Sequence, residues 1–510
     1  MSELLTGLKK GSGNATGMRA IGLILLFLLA LYELYSGGLP MMAVVCMSPL
    51  LLLGIYFALN YRYVIFWVMI LTNMFMPFLA RMGWFPLPQS VAIEAIEILL
   101  ILLAMIHSAE HKITNILNFM GLGLMLWVGF GFIEIFNDSC DIGFHPDWWY
   151  QGARLMFFQL AYAQIVTGLY INNPKRLRQW VYVLAGFMFF AGFWGWKQRR
   201  FGFTDAEWGF LHGGGMVTHF VNGVVRYFSV FTDAANSGCC MAAGGVMLIV
   251  AALNARSKLD KLVFGICGAA GLYGVMISGT RTAVVTSFAG FFVYMFLSRS
   301  IKILIPTIAI TAFGVIFLMF TTIGEDNPMI HRMRTTFDPN DASKAVRDYN
   351  KKQIAKYMQD CPWGVGVGVV RDEIPPWNKF KKVTYIAPDS EYVYIWVRTG
   401  WIGISFFVLS SLIMLMGAAV IVLFRLKNRT LRGIAGGLTS AFVVIHLGGY
   451  ANQILMQFPN VLIWYGGLAL VYIMPMMEDE WQKYEDEYIA KEEKWLAAWK
   501  FKRKNKLIHN

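Results

Sequence analysis

The chain has 510 residues, 57% hydrophobic and only 15% charged, with a formal net charge of +13. Apolar runs of roughly 20 residues, enough for a helix to span ~30 Å of hydrocarbon, recur from end to end and argue against several soluble domains. The charge excess is that of lysine- and arginine-rich loops; no RNA or DNA motif is present, so no nucleic-acid partner is expected.

In lipid, backbone groups must be satisfied within their own segment, so these runs are read as helices. The expected fold is all-α: a polytopic membrane protein with about 14 transmembrane helices and one large external loop with short helices. Lys9, Lys10 and Arg19 precede the first run, which reads as a transmembrane helix rather than a cleavable signal peptide. Spans are predicted at 20–36, 40–60, 63–80, 91–107, 115–136, 152–171 and 177–196, then at 236–254, 260–278, 283–297, 301–322, 391–424, 432–450 and 459–475. The run 391–424 is too long for one straight crossing, and a break is expected near Gly400 and Gly403. Residues 1–477 form the membrane domain, with the loop 323–390 inserted, and 478–510 a charged C-terminal helix ending in Lys500-Phe501-Lys502-Arg503-Lys504.

Loop charge sets the orientation. Arg62, Lys112, Lys175/Arg176/Arg178, Arg256/Lys258/Lys261, Arg299/Lys302 and Arg425/Lys427/Arg429/Arg432 fall on one face, whereas the alternate loops 37–39, 137–147 and 451–458 carry no lysine or arginine. The positive-inside rule makes the first face cytoplasmic, with both termini. The tail is expected to lie on the inner, anionic leaflet. The long loops 197–235 and 323–390 are then external. The second should hold an amphipathic helix over 343–359, capped by Asn340 or Asp341, with Ala345, Tyr349 and Ile354 as its apolar face. It stops before Pro362, and the glycine-alternating run Gly364–Gly368 that comes next reads as a tight turn or short extended piece.

External arginines carry the chemistry. Arg226, Arg281 and Arg154 each stand where a span meets the external face, and guanidinium binds phosphate bidentately; for a lone arginine, helix-end anchoring is the alternative. Glu94 and Glu97 share a face of the fourth span, where an ion pair with an arginine and a role in the site are equally good readings. Asp389 and Glu391 lie where the large loop re-enters the membrane. Either suits a general base on an acceptor hydroxyl, and Asp389 or Ser390 suits a helix N-cap. The histidines His145, His212, His219, His331 and His446 lack metal spacing, as do the six cysteines; Cys140 and Cys361 share a face and a disulfide between them is conceivable. No DxD, HExxH, Walker or GxSxG motif occurs. No metal or other cofactor is expected.

Four segments in order then resemble the bacterial O-antigen ligase/O-antigen polymerase superfamily: Arg226-Tyr-Phe-Ser-Val-Phe-Thr-Asp-Ala-Ala-Asn236; Ser278-Gly-Thr-Arg-Thr-Ala283; Arg347…Pro362-Trp-Gly-Val-Gly-Val-Gly368; and Pro388-Asp-Ser-Glu-Tyr…Gly400-Trp-Ile-Gly403. The resemblance implies a metal-independent GT-C-type glycosyltransferase at the outer face of the inner membrane. Its donor would be a glycan on undecaprenyl pyrophosphate, its acceptor a sugar hydroxyl of the lipid A core or of a growing polysaccharide. Arg226 and Arg281 match positions near the donor pyrophosphate, and Arg154, Arg347, Glu391, Glu94 and Glu97 are candidate substrate-binding residues. Ligases typically carry a His-Asn pair where this chain has Asp389-Ser390, which makes Asp389 the candidate catalytic base and leaves room for polymerase activity. A protein O-oligosaccharyltransferase and a lipid-linked oligosaccharide flippase are the alternatives; a flippase needs two-sided access and often internal repeats, and no clear repeat is seen. Oligomeric state is not legible.

Overall fold

The computed structural model describes residues 25, 27–30, 32, 35–36, 38–84, 89–221, 223–298, 301–324, 328–334 and 342–508. They form two compact units, 1–67 and 68–510. In the first, the described residues are helical, and regular dihedrals are interrupted at Tyr61 (φ −117°, ψ 28°) within the helix Gly38–Arg81. This break falls between the predicted spans 40–60 and 63–80.

The second unit holds the rest in chain order: α1 Gln89–Ile106, α2 Phe119–Ile133, α3 Gln159–Tyr170, α4 Pro174–Phe201, α5 Ala234–Asn254, α6 Lys258–Ile277, α7 Arg281–Leu297, α8 Ala342–Met358, α9 Glu391–Val420, α10 Arg429–Gly449 and α11 Glu478–Ile508. Further helices cover Ile301–Phe320 and Gly466–Ile473. The only strands among the described residues are β1 Phe220–Val221 and β2 Val224–Val225, an antiparallel pair. The chain is therefore an all-α polytopic membrane protein. Every predicted span from 91 onward coincides with a helix, while 20–36 lies largely outside the described residues. Seven helices among the described residues are long and apolar enough to cross a membrane. That is fewer than fourteen because some runs are shorter or interrupted: Arg281–Leu297 has 17 residues, and 152–171 is divided by a π-turn at Arg154–Phe158.

Local sequence starts several of these helices. Asn118, Asn173, Asp233, Ser257 and Asn428 each cap a helix N-terminus with a side-chain oxygen, satisfying donors that the first turn leaves unpaired. Helices α5 and α10 form the centre, with 83% of each apolar window buried, against 28% for Glu391–Arg425. Small residues allow close approach where lipid offers no hydrophobic drive: a Cβ on Gly271 would lie 3.0 Å from Gly245 Cα.

The break expected in the long re-entrant run is present. Gly400 adopts φ 65°, ψ −165° inside α9, which opens the helical ladder and exposes carbonyls. The glycine run supplies their partners as an extended piece: Val365 N donates to Val397 O at 2.8 Å and Gly366 N to Arg398 O at 2.9 Å. Contact is so close that a Cβ on Gly364 (φ +77°) would sit 2.5 Å from Gly400 N. Gly364→Ala should therefore destabilise the protein by at least about 2 kcal/mol, the left-handed backbone alone costing roughly 1–2 kcal/mol. A wild-type melting temperature for this variant in detergent would refute that packing.

The long loops meet on one face. Asn137 Nδ2 donates to Trp363 O at 2.7 Å, Asn378 Nδ2 to Ser139 O at 3.1 Å, and Thr232 Oγ1 to Gln457 Oε1 at 2.6 Å. The basic loops gather elsewhere, with Asn172 Nδ2 bonded to Glu110 O at 2.9 Å and Asn428 Nδ2 to Glu485 Oε2 at 3.0 Å. Cys140 and Cys361 are free buried thiols, so the conceivable disulfide is absent. Each sulfur bonds a carbonyl of the glycine run, Val365 O at 3.1 Å and Gly364 O at 3.2 Å, and burial pushes the Cys140 thiol up to about 12.

Candidate active site

The first motif is a brace that presents one cation. Asp233 caps α5 by accepting from Ala235 N (2.7 Å) and Asn236 N (3.0 Å). Asn236 Nδ2 donates to Thr232 Oγ1 at 2.7 Å and to Phe458 O at 2.9 Å, tying the motif to the loop before the last span. Arg81 donates to the carbonyls of Ser229 and Phe231 and lies over the Phe228 ring at 4.3 Å. Most of the motif thus holds its own loop in place and sets the position of Arg226.

The second motif completes the cradle. Ser278 ends α6, Gly279 turns the chain at φ +59°, and Arg281 opens α7, whose N-terminus has no side-chain cap. Arg226 Nη1 donates to Thr218 O and Nη2 to Thr280 Oγ1, both at 3.0 Å; Thr280 Oγ1 donates onward to Ala234 O at 2.7 Å. A Cβ on Gly279 would lie 3.2 Å from Arg226 Cγ and 3.5 Å from Arg332 Cδ, so this position leaves two arginine side chains room to converge. Arg332 Nε donates to Gly279 O at 2.9 Å. Burial, then the positive charge of Arg332, with smaller effects from Arg347 and Arg281, pull the Arg226 guanidinium down to about 10, against the pull of Asp233. Arg226 thus lies in the field of three further guanidiniums, Arg332 foremost. An anion entering there relieves their mutual repulsion.

Asp389 lies where two cavities meet. One, of about 490 Å³, is lined by Arg226, Asp233, Thr218, His219, Gln453 and Gln457 as well as Asp389. The other, of about 820 Å³, is lined by Arg347, Asn350 and Lys351 of α8, by Tyr392, Trp396 and Trp401 of α9, by Tyr450, and again by Asp389. Asp389 Oδ2 accepts from Asn350 Nδ2 at 3.0 Å. The N-cap position of α9 is Ser390, which makes no side-chain cap bond; its hydroxyl donates to Gly449 O at 3.3 Å. The one hydrogen bond Asp389 makes among the described residues is thus to a side chain of the loop helix and not to a helix terminus.

The remaining candidates stand apart from these cavities. Glu391 is buried and accepts from Leu455 N at 2.9 Å, which anchors the loop 451–458. Arg154 pairs with Glu94 at 3.5 Å, and Glu94 accepts from the Tyr150 hydroxyl at 3.1 Å. Glu97 accepts from Gln159 Nε2 at 3.0 Å. The ion-pair reading is therefore the contact observed for Glu94. His446 lies between Tyr392 (3.2 Å) and Tyr465 (3.3 Å), and His219 Nδ1 bonds Gly215 O at 2.8 Å. No cluster of potential metal ligands occurs among the described residues.

The face expected for the loop helix needs correction. Of Ala345, Tyr349 and Ile354 only Ile354 is buried, while Tyr349 is 63% exposed. Ile354 and Met358 pack into a cluster with Val365, Val369 and Trp396, which turns Arg347, Asn350 and Lys351 toward the larger cavity; the expected caps, Asn340 and Asp341, lie outside the described residues. Sequence reasoning missed Arg332 and Asn350. Arg332 belongs to no motif, but Asn350 is three residues from Arg347 on one helical face, a spacing that was available to read.

No curated protein matches the chain. Residues 266–408 match the family model described as O-Antigen ligase. This segment runs from within α6 to within α9 and contains Arg281, Arg332, Arg347 and Asp389, while Arg226 precedes it. Over this segment the chain is similar to the O-antigen ligase family.

Proposed function

We propose that the chain is an inverting glycosyltransferase of the O-antigen ligase/polymerase type. It would move a glycan from undecaprenyl pyrophosphate to a sugar hydroxyl of the lipid A core or a growing polysaccharide, at the periplasmic face of the inner membrane. The observation that carries this reading is the position of Asp389, shared by the cavity of Arg226 and the cavity of Arg347. The donor pyrophosphate occupies the arginine cluster, and its anomeric carbon points toward Asp389. The acceptor enters through the larger cavity, whose Trp401 and Tyr450 offer flat faces and whose Asn350 and Lys351 offer donors.

Chemistry follows from this placement. The acceptor oxygen attacks the anomeric carbon opposite the pyrophosphate, forming the new glycosidic bond as the sugar–phosphate bond breaks. The proton passes to Asp389 as general base. The leaving lipid pyrophosphate gathers negative charge, which Arg226, Arg281 and Arg332 would stabilise. With that charge supplied by guanidiniums, the reading needs no metal. Holding two substrates, at least one of them anchored in the bilayer, supplies proximity. The Asp389-Ser390 pair, standing where ligases typically carry His-Asn, favours a growing polysaccharide as a second acceptor reading.

Purified protein in detergent should consume a lipid-pyrophosphate glycan with no ion gradient. Lack of turnover, with transbilayer movement of that lipid in proteoliposomes, would replace the enzyme by a transporter. In a deletion strain, loss of all long chains on the lipid core identifies a ligase, and a core bearing one repeat identifies a polymerase. Sidedness is checked separately. Lys382 is exposed on the large loop, so Lys382→Cys should react with an impermeant thiol reagent in intact spheroplasts, above the parent's background. Labelling only after lysis would invert the topology.

A further inference from the structure

The helix α11 divides by charge. Residues 478–493 carry eight acids against two lysines, whereas 494–508 carry Lys494, Lys500, Lys502, Arg503, Lys504 and Lys506 and no acid. The acidic half carries the contacts to the protein. Glu485 is buried and accepts from Arg256 Nη1 at 3.2 Å and Asn428 Nδ2 at 3.0 Å. Asp486 pairs with Arg256 at 2.8 Å. Arg178, itself paired with Asp260 at 2.6 Å, lies 3.2 Å over the Tyr488 ring. Three basic loops are thereby clamped by one helix.

The last clamp sets the height of the basic half. Glu492 Oε1 accepts from Leu259 N at 2.7 Å, in the first turn of α6, where that span begins and where Leu259 and Leu262 are 43% and 60% exposed. Residue 492 is therefore held beside the first turn of a helix long and apolar enough to cross a membrane. Trp495 and Trp499 come within ~5 and ~11 Å along the helix at 1.5 Å per residue; Trp495 is 65% exposed. Tryptophan prefers the membrane interface.

We propose that residues 494–508 are a binding arm for anionic phospholipid, positioned against the headgroups by the acidic half of the same helix. The bland alternative is a solvated charged helix end. Against it stands the segregation of charge: two of the acids, Glu485 and Asp486, are engaged by Arg256, and every base after Lys491 lies C-terminal to the last clamp at Glu492. Clustered lysine and arginine next to a span are attracted by anionic lipid within a Debye length. Tryptophans at headgroup height would give the arm an apolar foothold.

The test uses the full chain in nanodiscs, read by amide hydrogen exchange. In discs containing 30% phosphatidylglycerol, residues 494–508 should exchange at least about 10-fold more slowly than in pure phosphatidylcholine discs. The protection should vanish at 1 M salt, where the Debye length falls to ~3 Å, and in a variant carrying K500Q, K502Q, R503Q, K504Q and K506Q. Exchange over 478–492 serves as the control for an intact clamp and should not change. Equal exchange in the two lipids would overturn the proposal, as would equal protection in both or protection conferred only by added RNA. None of these outcomes depends on the reaction at the opposite face.

Discussion

Arg226→Ala and Arg281→Ala should each lower glycan transfer by on the order of 10²-fold or more, the cost of losing one preorganised donor to developing charge. Arg226 is held by Thr218 O and Thr280 Oγ1, so its fork is fixed before substrate arrives and nothing need reorganise in the transition state. Lysine should rescue poorly at both positions, because an ammonium cannot present the planar pair of donors. The depressed guanidinium of Arg226 adds a readout independent of turnover. At neutral pH, well below about 10, it remains charged, and the clustered charges repel one another. Inorganic pyrophosphate should therefore raise the melting temperature of the wild type and raise that of Arg226→Ala less. Near-wild-type transfer by either alanine variant, at normal expression, would remove that arginine from the site. Arg332→Ala should fall in the same class, since Arg332 is the strongest cationic influence on Arg226.

Asp389→Asn should abolish most turnover while leaving donor binding intact. The amide keeps the shape of the side chain, and its oxygen can still accept from Asn350 Nδ2, as the carboxylate does at 3.0 Å. What it cannot do is take a proton. Loss of turnover with retained affinity for a lipid pyrophosphate therefore separates proton transfer from positioning. Asn350→Ala should produce a smaller loss, about 10-fold, because it frees the carboxylate from one orientation without removing the base. An Asp389→Asn variant as active as the wild type would end the base assignment. Glu391 would be a poor successor, since Leu455 N already occupies its carboxylate.

Much of this protein was legible in its sequence. Membrane helices announce themselves because lipid forbids unpaired backbone, so length and hydropathy suffice to place them; even the break at Gly400 followed from a run too long to cross straight. The two arginines were proposed from short motifs in order, and Asp389 from its place at a re-entry point. Contacts between distant segments were not legible. Arg332 and Asn350 join the site only because Gly279 and the buried pair Ile354 and Met358 orient the loop around it, and a loop with two plausible apolar faces does not disclose which one packs. For Glu94 an ion pair with an arginine and a role in the site were equally good readings, and the fold brings Arg154 to 3.5 Å from it. The motif 226–236 concealed a division of labour as well: Asp233 and Asn236 brace the helix and the loop beyond it, and Arg226 faces the cavity. Local sequence determines which segments enter lipid, since that is a one-residue-at-a-time transfer cost. Which side chains converge depends on packing between segments hundreds of residues apart, and that was settled only in the folded chain.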